Sequence, residues 1–252
     1  MLRETLTALR SLGLLRLCLP LALVLGLDIL LSYLEITVPA IGIVLSVMIG
    51  HMVTRATALD QPLFRRDGKG SFPHMGRYLL ANLWVYGLVL LAMICGMIAS
   101  GALWTHTGLG LVIKGIVGLN LGAILLLLGM LAIVGTALPA AAMGAPYGMP
   151  TALATTQGQR WRLFGALLLV PGGLSVAQLL LAGIGGQADA VSGFLGEVSW
   201  EGVDMVEGGV LGEIVSIAGK VLSFLSVIFT SILLTLAWRR RHRPAALAEV
   251  FQ

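Results

Sequence analysis

Charge is what this sequence has least of. Only 11% of its 252 residues are Asp, Glu, Lys or Arg, where a water-soluble domain carries about 25%. A chain so poor in charge cannot build a water-facing surface, which excludes a soluble globular enzyme. Cysteine is scarce too. Cys18 and Cys95 are the two present, and the topology derived below puts them near opposite membrane faces. Their Cα atoms then lie well beyond the roughly 7 Å that a disulfide requires. Catalytic signatures are also missing. There is no H-E-x-x-H, no Walker A loop, no nucleophile elbow and no dinucleotide fingerprint. The histidines His51, His74, His106 and His242 are scattered, whereas a metal or haem needs converging ligands. They read as interfacial polar residues, and no cofactor is expected. The net charge of +4 follows membrane topology and forms no patch for nucleic acid.

What is abundant is grease. Hydrophobic residues make up 58% of the chain and the mean hydropathy is +0.96, so the fold class is all-α, a polytopic transmembrane bundle. The stretch 151–183, TALATTQGQRWRLFGALLLVPGGLSVAQLLLAG, sets the pattern. A polar, basic lead-in with Arg160, Trp161 and Arg162 gives way to about twenty uncharged residues, enough to cross the hydrocarbon layer as a helix. A cation beside an aromatic ring suits the membrane–water interface. The same grammar recurs where Arg10 and Arg16 precede LCLPLALVLGLDILL, and where Lys69 and Arg77 precede YLLANLWVYGLVLLAMI. Six spans in three hairpins are therefore predicted, near residues 14–34, 36–53, 79–100, 109–140, 163–184 and 214–238, in one integral membrane domain.

The flanks complete this reading. In residues 1–13, Leu2, Leu6, Leu9 and Gly13 share one helical face and Arg3, Thr7 and Arg10 the other, the pattern of a helix lying on the membrane surface. A cleaved signal peptide does not fit, because the apolar run is too long and no A-x-A site follows it. Glu35 and Pro39 mark a tight turn. Residues 185–213 carry Asp189, Glu197, Glu201, Asp204, Glu207 and Glu213 without a basic residue, and their apolar spacing predicts one or two amphipathic helices. All of the 16 lysines and arginines except Lys114 and Lys220 fall in the N-terminal segment, the 54–78 loop, the 157–162 lead-in or the tail. Those four places share one side only if the spans number six. The positive-inside rule then makes that side cytoplasmic, with both termini, and the acidic segment extracytoplasmic.

Polar residues within the spans are the candidates for function. Asp28 is the most expensive, at about 2.5–3.5 kcal/mol near a helix centre. A pair with Lys114 or Lys220 would relieve the cost of both partners, and an aqueous or proton path is the functional alternative. Gly115, Gly118, Gly122 and Gly129 form one stripe on the fourth span, which reads as a central helix approached closely by its neighbours, or as a homodimer face. Asn82, Asn120 and Gln178 suit hydrogen bonds between helices. Pro171-Gly172-Gly173 predicts a kink. Arg65, Arg66, Lys69, Arg77, Arg160, Trp161 and Arg162 are interfacial anchors able to meet lipid head groups.

The segment 151–169, through Thr156, Gly158, Trp161, Arg162, Leu163 and Phe164, resembles bacterial six-span inner-membrane proteins related to the membrane domain of some glycerophosphodiester phosphodiesterases. In the 54–78 lead-in the match degenerates to Arg77-Tyr78-Leu79. The resemblance implies an inner-membrane location and six spans. It does not imply the phosphodiesterase activity, whose soluble domain this sequence lacks. The expected function is a non-catalytic membrane component, a scaffold, assembly partner or lipid-organising protein. Its expected partners are membrane lipids, other membrane proteins or a second copy. A permease with Asp28 in its pathway is the alternative, and a lipid-acting enzyme using Arg66, Asp67 and His74 lacks any spacing that chemistry demands.

Overall fold

A computed structural model describes residues 2–33, 39–63, 74–107, 112–184 and 210–242. These residues are helical, with no strand among them. The helices are α1 (Leu2–Leu12), α2 (Leu14–Tyr33), α3 (Pro39–Leu59), α4 (Met75–Thr107), α5 (Val112–Val134), α6 (Ala137–Ala142), α7 (Met149–Thr156), α8 (Arg160–Leu167), α9 (Gly173–Ile184) and α10 (Val210–Arg241). A π turn, Leu168–Gly172, joins α8 to α9. Among the described residues, two stretches are long and apolar enough to cross a membrane, Arg160–Leu181 and Ile214–Arg241. A third qualifies if Arg3–Leu12 and Arg16–Leu27, which meet at 78°, are counted as one. Within α3, α4 and α5 the segments Val44–Leu59, Met75–Leu91 and Gly122–Val134 are apolar as well.

The centre of the bundle is α10, where the sequence had pointed to the fourth span. Ser231 to Thr235 are all buried, followed by Ala237 and Trp238, and α10 packs against α3, α9, α8, α6 and α1. One core layer joins α10 to α4, α5 and α8 through Leu233, Leu234, Val85, Leu131 and Leu163. A second joins it to α1, α2 and α3 through Ile228, Ile232, Leu12, Leu17 and Val53.

The predicted span 109–140 is not one helix. It breaks after Val134 and resumes as α6. Pro139 explains the break: it has no N–H to give the Gly135 carbonyl, and its ring would collide with that carbonyl in a continuous helix. Gly135 is needed there as well, since a Cβ would lie 2.8 Å from Leu234 Cδ2. Every residue of α6, ALPAAA, is buried. The small residues that let backbones approach therefore lie at 135–144, beyond the stripe read from sequence. Among the described residues, Gly122 has nothing within 4 Å of a built Cβ and Gly129 only Phe164 at 4.0 Å.

The expected kink at Pro171 takes the form of the π turn. An α-helical Pro171 would clash with the Leu167 carbonyl, and the wider turn relieves this. Ser175 Oγ then donates to the Pro171 carbonyl at 3.0 Å. Helix α1 turns a different face inward from the Leu2–Leu6–Leu9 face read in the sequence. It docks on protein through buried Thr5 and Leu12 and half-buried Ala8 and Leu9, leaving Leu6 exposed. Its spacing of 5, 8, 9 and 12 is one helical face.

Candidate functional site: a capped basic end over a buried polar cluster

Four of the described arginines, Arg77, Arg160, Arg239 and Arg241, hold backbone at one end of the bundle. The last carbonyls of an α-helix have no intrahelical donor, and the negative end of the helix dipole lies there. Guanidinium groups answer both needs. Arg239 Nη1 donates to the Thr57 carbonyl in the last turn of α3 at 2.9 Å. Arg241 Nη2 reaches the Ala154 carbonyl of α7 at 3.3 Å, and Arg160 Nη2 the Leu153 carbonyl at 3.1 Å. Arg77 Nη1 and Nη2 donate to Gly144 and Ala145 beyond α6, at 2.7 and 3.3 Å, with the guanidinium 5.5 Å over the Tyr147 ring. Two uncharged side chains join the plate. Gln159 Nε2 donates to the Ala237 carbonyl of α10 at 2.9 Å, and Thr156 Oγ1 to the Ile133 carbonyl of α5 at 3.0 Å.

The motif at 151–164 is thus a helix-turn-helix. Helix α7 ends at Thr156, Gly158 turns at φ +81°, and α8 starts at Arg160. Gly158 lies in the left-handed region that favours glycine. Trp161 is 85% exposed and meets Phe164 edge-on at 6.3 Å. Arg162 is exposed beside it. Arg77 and Arg160, by contrast, are occupied with carbonyls.

At the outer margin of this plate Arg240 pairs with Glu4 of α1 at 2.5 Å. Partial burial pushes the Glu4 carboxyl up, but the hydrogen bond and charge of Arg240 lead the contributions that bring it below its ordinary value. Trp238 lies beneath, 1% exposed, against Ala58, Ala140 and Met143. The His242 ring stacks on it at 4.7 Å.

Deeper in the bundle a polar cluster joins α3, α4 and α10. The Tyr78 hydroxyl shares hydrogen bonds with the side chains of Thr54, Asn82 and Ser231. The His51 ring meets Tyr78 edge-on at 5.1 Å and is fully buried. His51 is therefore no interfacial residue, contrary to the sequence reading. Its burial follows from helix phase: His51, Thr54 and Ala58 lie on the face of α3 turned to Tyr78 and Trp238. Gly50 makes the meeting possible, since a Cβ there would lie 2.8 Å from Tyr78 Oη and 3.4 Å from Ser231 Oγ. Asn82 also bonds within its own helix, Nδ2 donating to the Tyr78 carbonyl at 2.9 Å. Gln178 lies at the α9–α10 contact, its Cγ 3.9 Å from a Cβ built on Gly219.

Sequence reasoning missed this cluster, although a signal was present: His51, Thr54 and Thr57 recur every three residues along a mostly apolar helix, and Ser231 and Thr235 are four apart. Chemically the cluster holds an imidazole and a phenol, which can carry a proton. Among the described residues no group of three or more His, Cys, Asp or Glu could hold a metal ion.

The remaining candidates are dispersed. Asp28 lies on α2, and Lys114, Gly115 and Gly118 on α5, but their side-chain surroundings lie outside the described residues. Lys220 is half-buried on α10. Arg65, Arg66, Lys69, Asp67, the acidic segment 185–209 and the turn at Glu35 also lie outside them. Compared with known protein families, with curated proteins and with solved structures, the chain matches none.

Proposed function

We propose that this chain is a non-catalytic integral membrane protein of six spans, a scaffold or lipid-organising component with both termini in the bacterial cytoplasm. The observation that carries the reading is the use made of the basic end. Arg77, Arg160, Arg239 and Arg241 donate to backbone carbonyls, so the strongest cations near the cluster hold helix ends together and do not line a substrate path. Six helical stretches of 20 residues or more (α2, α3, α4, α5, α8 to α9 and α10) support the span count, each at least about 30 Å long. Every described arginine that caps a helix does so at the same end, which agrees with the positive-inside rule. The likeness of 151–169 to the six-span inner-membrane group supports the location.

Cysteine labelling tests the topology. With Arg65→Cys and Glu201→Cys, an impermeant maleimide is expected to reach them from opposite sides of the membrane. Labelling from one side sinks the map. Proteoliposomes test the role: vesicles holding the protein keep an imposed proton gradient as long as protein-free vesicles. A leak removed by Asp28→Asn would instead establish the permease. That second reading draws on the His51–Tyr78–Ser231 cluster, because polar groups inside a membrane bundle often mark ion or proton paths.

A further inference from the structure

Where α1 crosses the ends of α3 and α10 the surface opens into a groove of about 310 Å³. Its α1 wall carries Arg3, Glu4, Thr7 and Ser11, and Asp60 and Arg239 face them. That volume is at the low end for small-ligand sites, enough for a head group and too little for a whole lipid. Two of these charges are poorly provided for. Asp60 lies just past the C-terminus of α3, where the helix dipole disfavours an anion, and it takes a left-handed φ of +55°. Among the described residues neither the Asp60 carboxylate nor the Arg3 guanidinium has an ion-pair partner within 4 Å. They line the same groove yet are held too far apart to pair with each other. Arg239 gives Nη1 to the Thr57 carbonyl and also lines this groove.

A membrane crossed by α2 would put the groove at head-group depth. Helix α1 meets the following helix at 78°, so it runs along the membrane surface if α2 crosses, with Leu6 exposed beside the groove. A purely anionic ligand would meet Asp60 and Glu4, and a purely cationic one Arg3 and Arg239. A ligand with both charges, a few ångströms apart, satisfies both walls.

We infer that this groove binds the zwitterionic head group of a membrane phospholipid, its phosphodiester against Arg3 and Arg239 and its primary ammonium against Asp60. The inference needs the membrane location but not the scaffold role, so a transport result would leave it standing. The test uses the full chain in mixed micelles, with native mass spectrometry reading retained dioleoyl phosphatidylethanolamine and dioleoyl phosphatidylglycerol. The wild type is expected to retain the ethanolamine lipid preferentially. Asp60→Asn, which keeps the size and tolerates the left-handed backbone, is expected to lower that retention about fivefold and leave the glycerol lipid unchanged. Arg3→Gln, on an exposed position, is expected to weaken both. Unchanged ethanolamine retention in Asp60→Asn, or an equal change for both lipids, would overturn the zwitterion assignment. Displacement by an equal concentration of tail-free glycerophosphoethanolamine would overturn the membrane source.

Discussion

Gly50 offers a prediction in which the sign of an effect depends on a second residue. In a helix an alanine is ordinarily better than a glycine by about 1 kcal/mol. At position 50 the new methyl would stand 2.8 Å from Tyr78 Oη. Tyr78 cannot yield easily, because it is 3% exposed and its hydroxyl is shared among Thr54, Asn82 and Ser231. Overpacking of this kind costs about 1–3 kcal/mol, so Gly50→Ala is expected to be net destabilising by up to about 2 kcal/mol. Tyr78→Phe alone removes the hydroxyl and leaves its partners underused. In membrane bundles such bonds contribute about 0.6–1.7 kcal/mol each, and a loss of about 1–2 kcal/mol follows. With the hydroxyl gone the methyl has room, and Gly50→Ala becomes neutral or stabilising in the Tyr78→Phe background. The double-mutant cycle, read by unfolding in mixed detergent–SDS micelles, should show at least about 1 kcal/mol of favourable coupling. Additivity within about 0.5 kcal/mol would refute the packing argument.

Further expectations follow from the basic end. Because the Glu4 pKa is depressed in the folded state, its pair with Arg240 stabilises α1 docking fully above its ordinary value of 4.5 and loses that effect as pH falls through the lowered folded value. Maleimide labelling of Thr5→Cys, buried in the docked helix, should therefore accelerate at low pH once corrected for thiol reactivity, and Glu4→Gln should remove the pH dependence. Arg77→Lys cannot span the Gly144 and Ala145 carbonyls with one ammonium, and a loss of about 1 kcal/mol in melting experiments is expected. Gly144→Ala should be worse, since its φ is +73° and a Cβ would lie 2.8 Å from the His74 ring. Hydrogen exchange at 143–148 checks both.

Much of the helix plan was legible because long uncharged runs leave few alternatives: α2 begins at Leu14 as read, and the 214–238 prediction lies inside α10 (Val210–Arg241). What misled was the use of glycine spacing as evidence of closeness. Gly122 belongs to a stripe on paper, yet among the described residues no neighbour approaches it, while ALPAAA, whose alanines carry no periodic signal, is where helices meet. The arginines were legible as a topological signal, but their service as caps was not. Which carbonyl a guanidinium reaches depends on where distant helices end, and Arg239 and Thr57 are far apart in sequence. His51 was misread for a related reason, since depth along a helix was known and the face it turned was not.

The position of α10 in the chain bears on how the protein is made. The ribosome releases this helix after the other described helices, yet Ile228, Ile232 and Leu234 fill both core layers, and its arginines close α3 and α7. Until it arrives, the described helices before it have their α10-facing surfaces uncovered and the end carbonyls of α3 and α7 uncapped. Closure of both core layers therefore waits on this helix, and a pause in synthesis before residue 210 would leave them open.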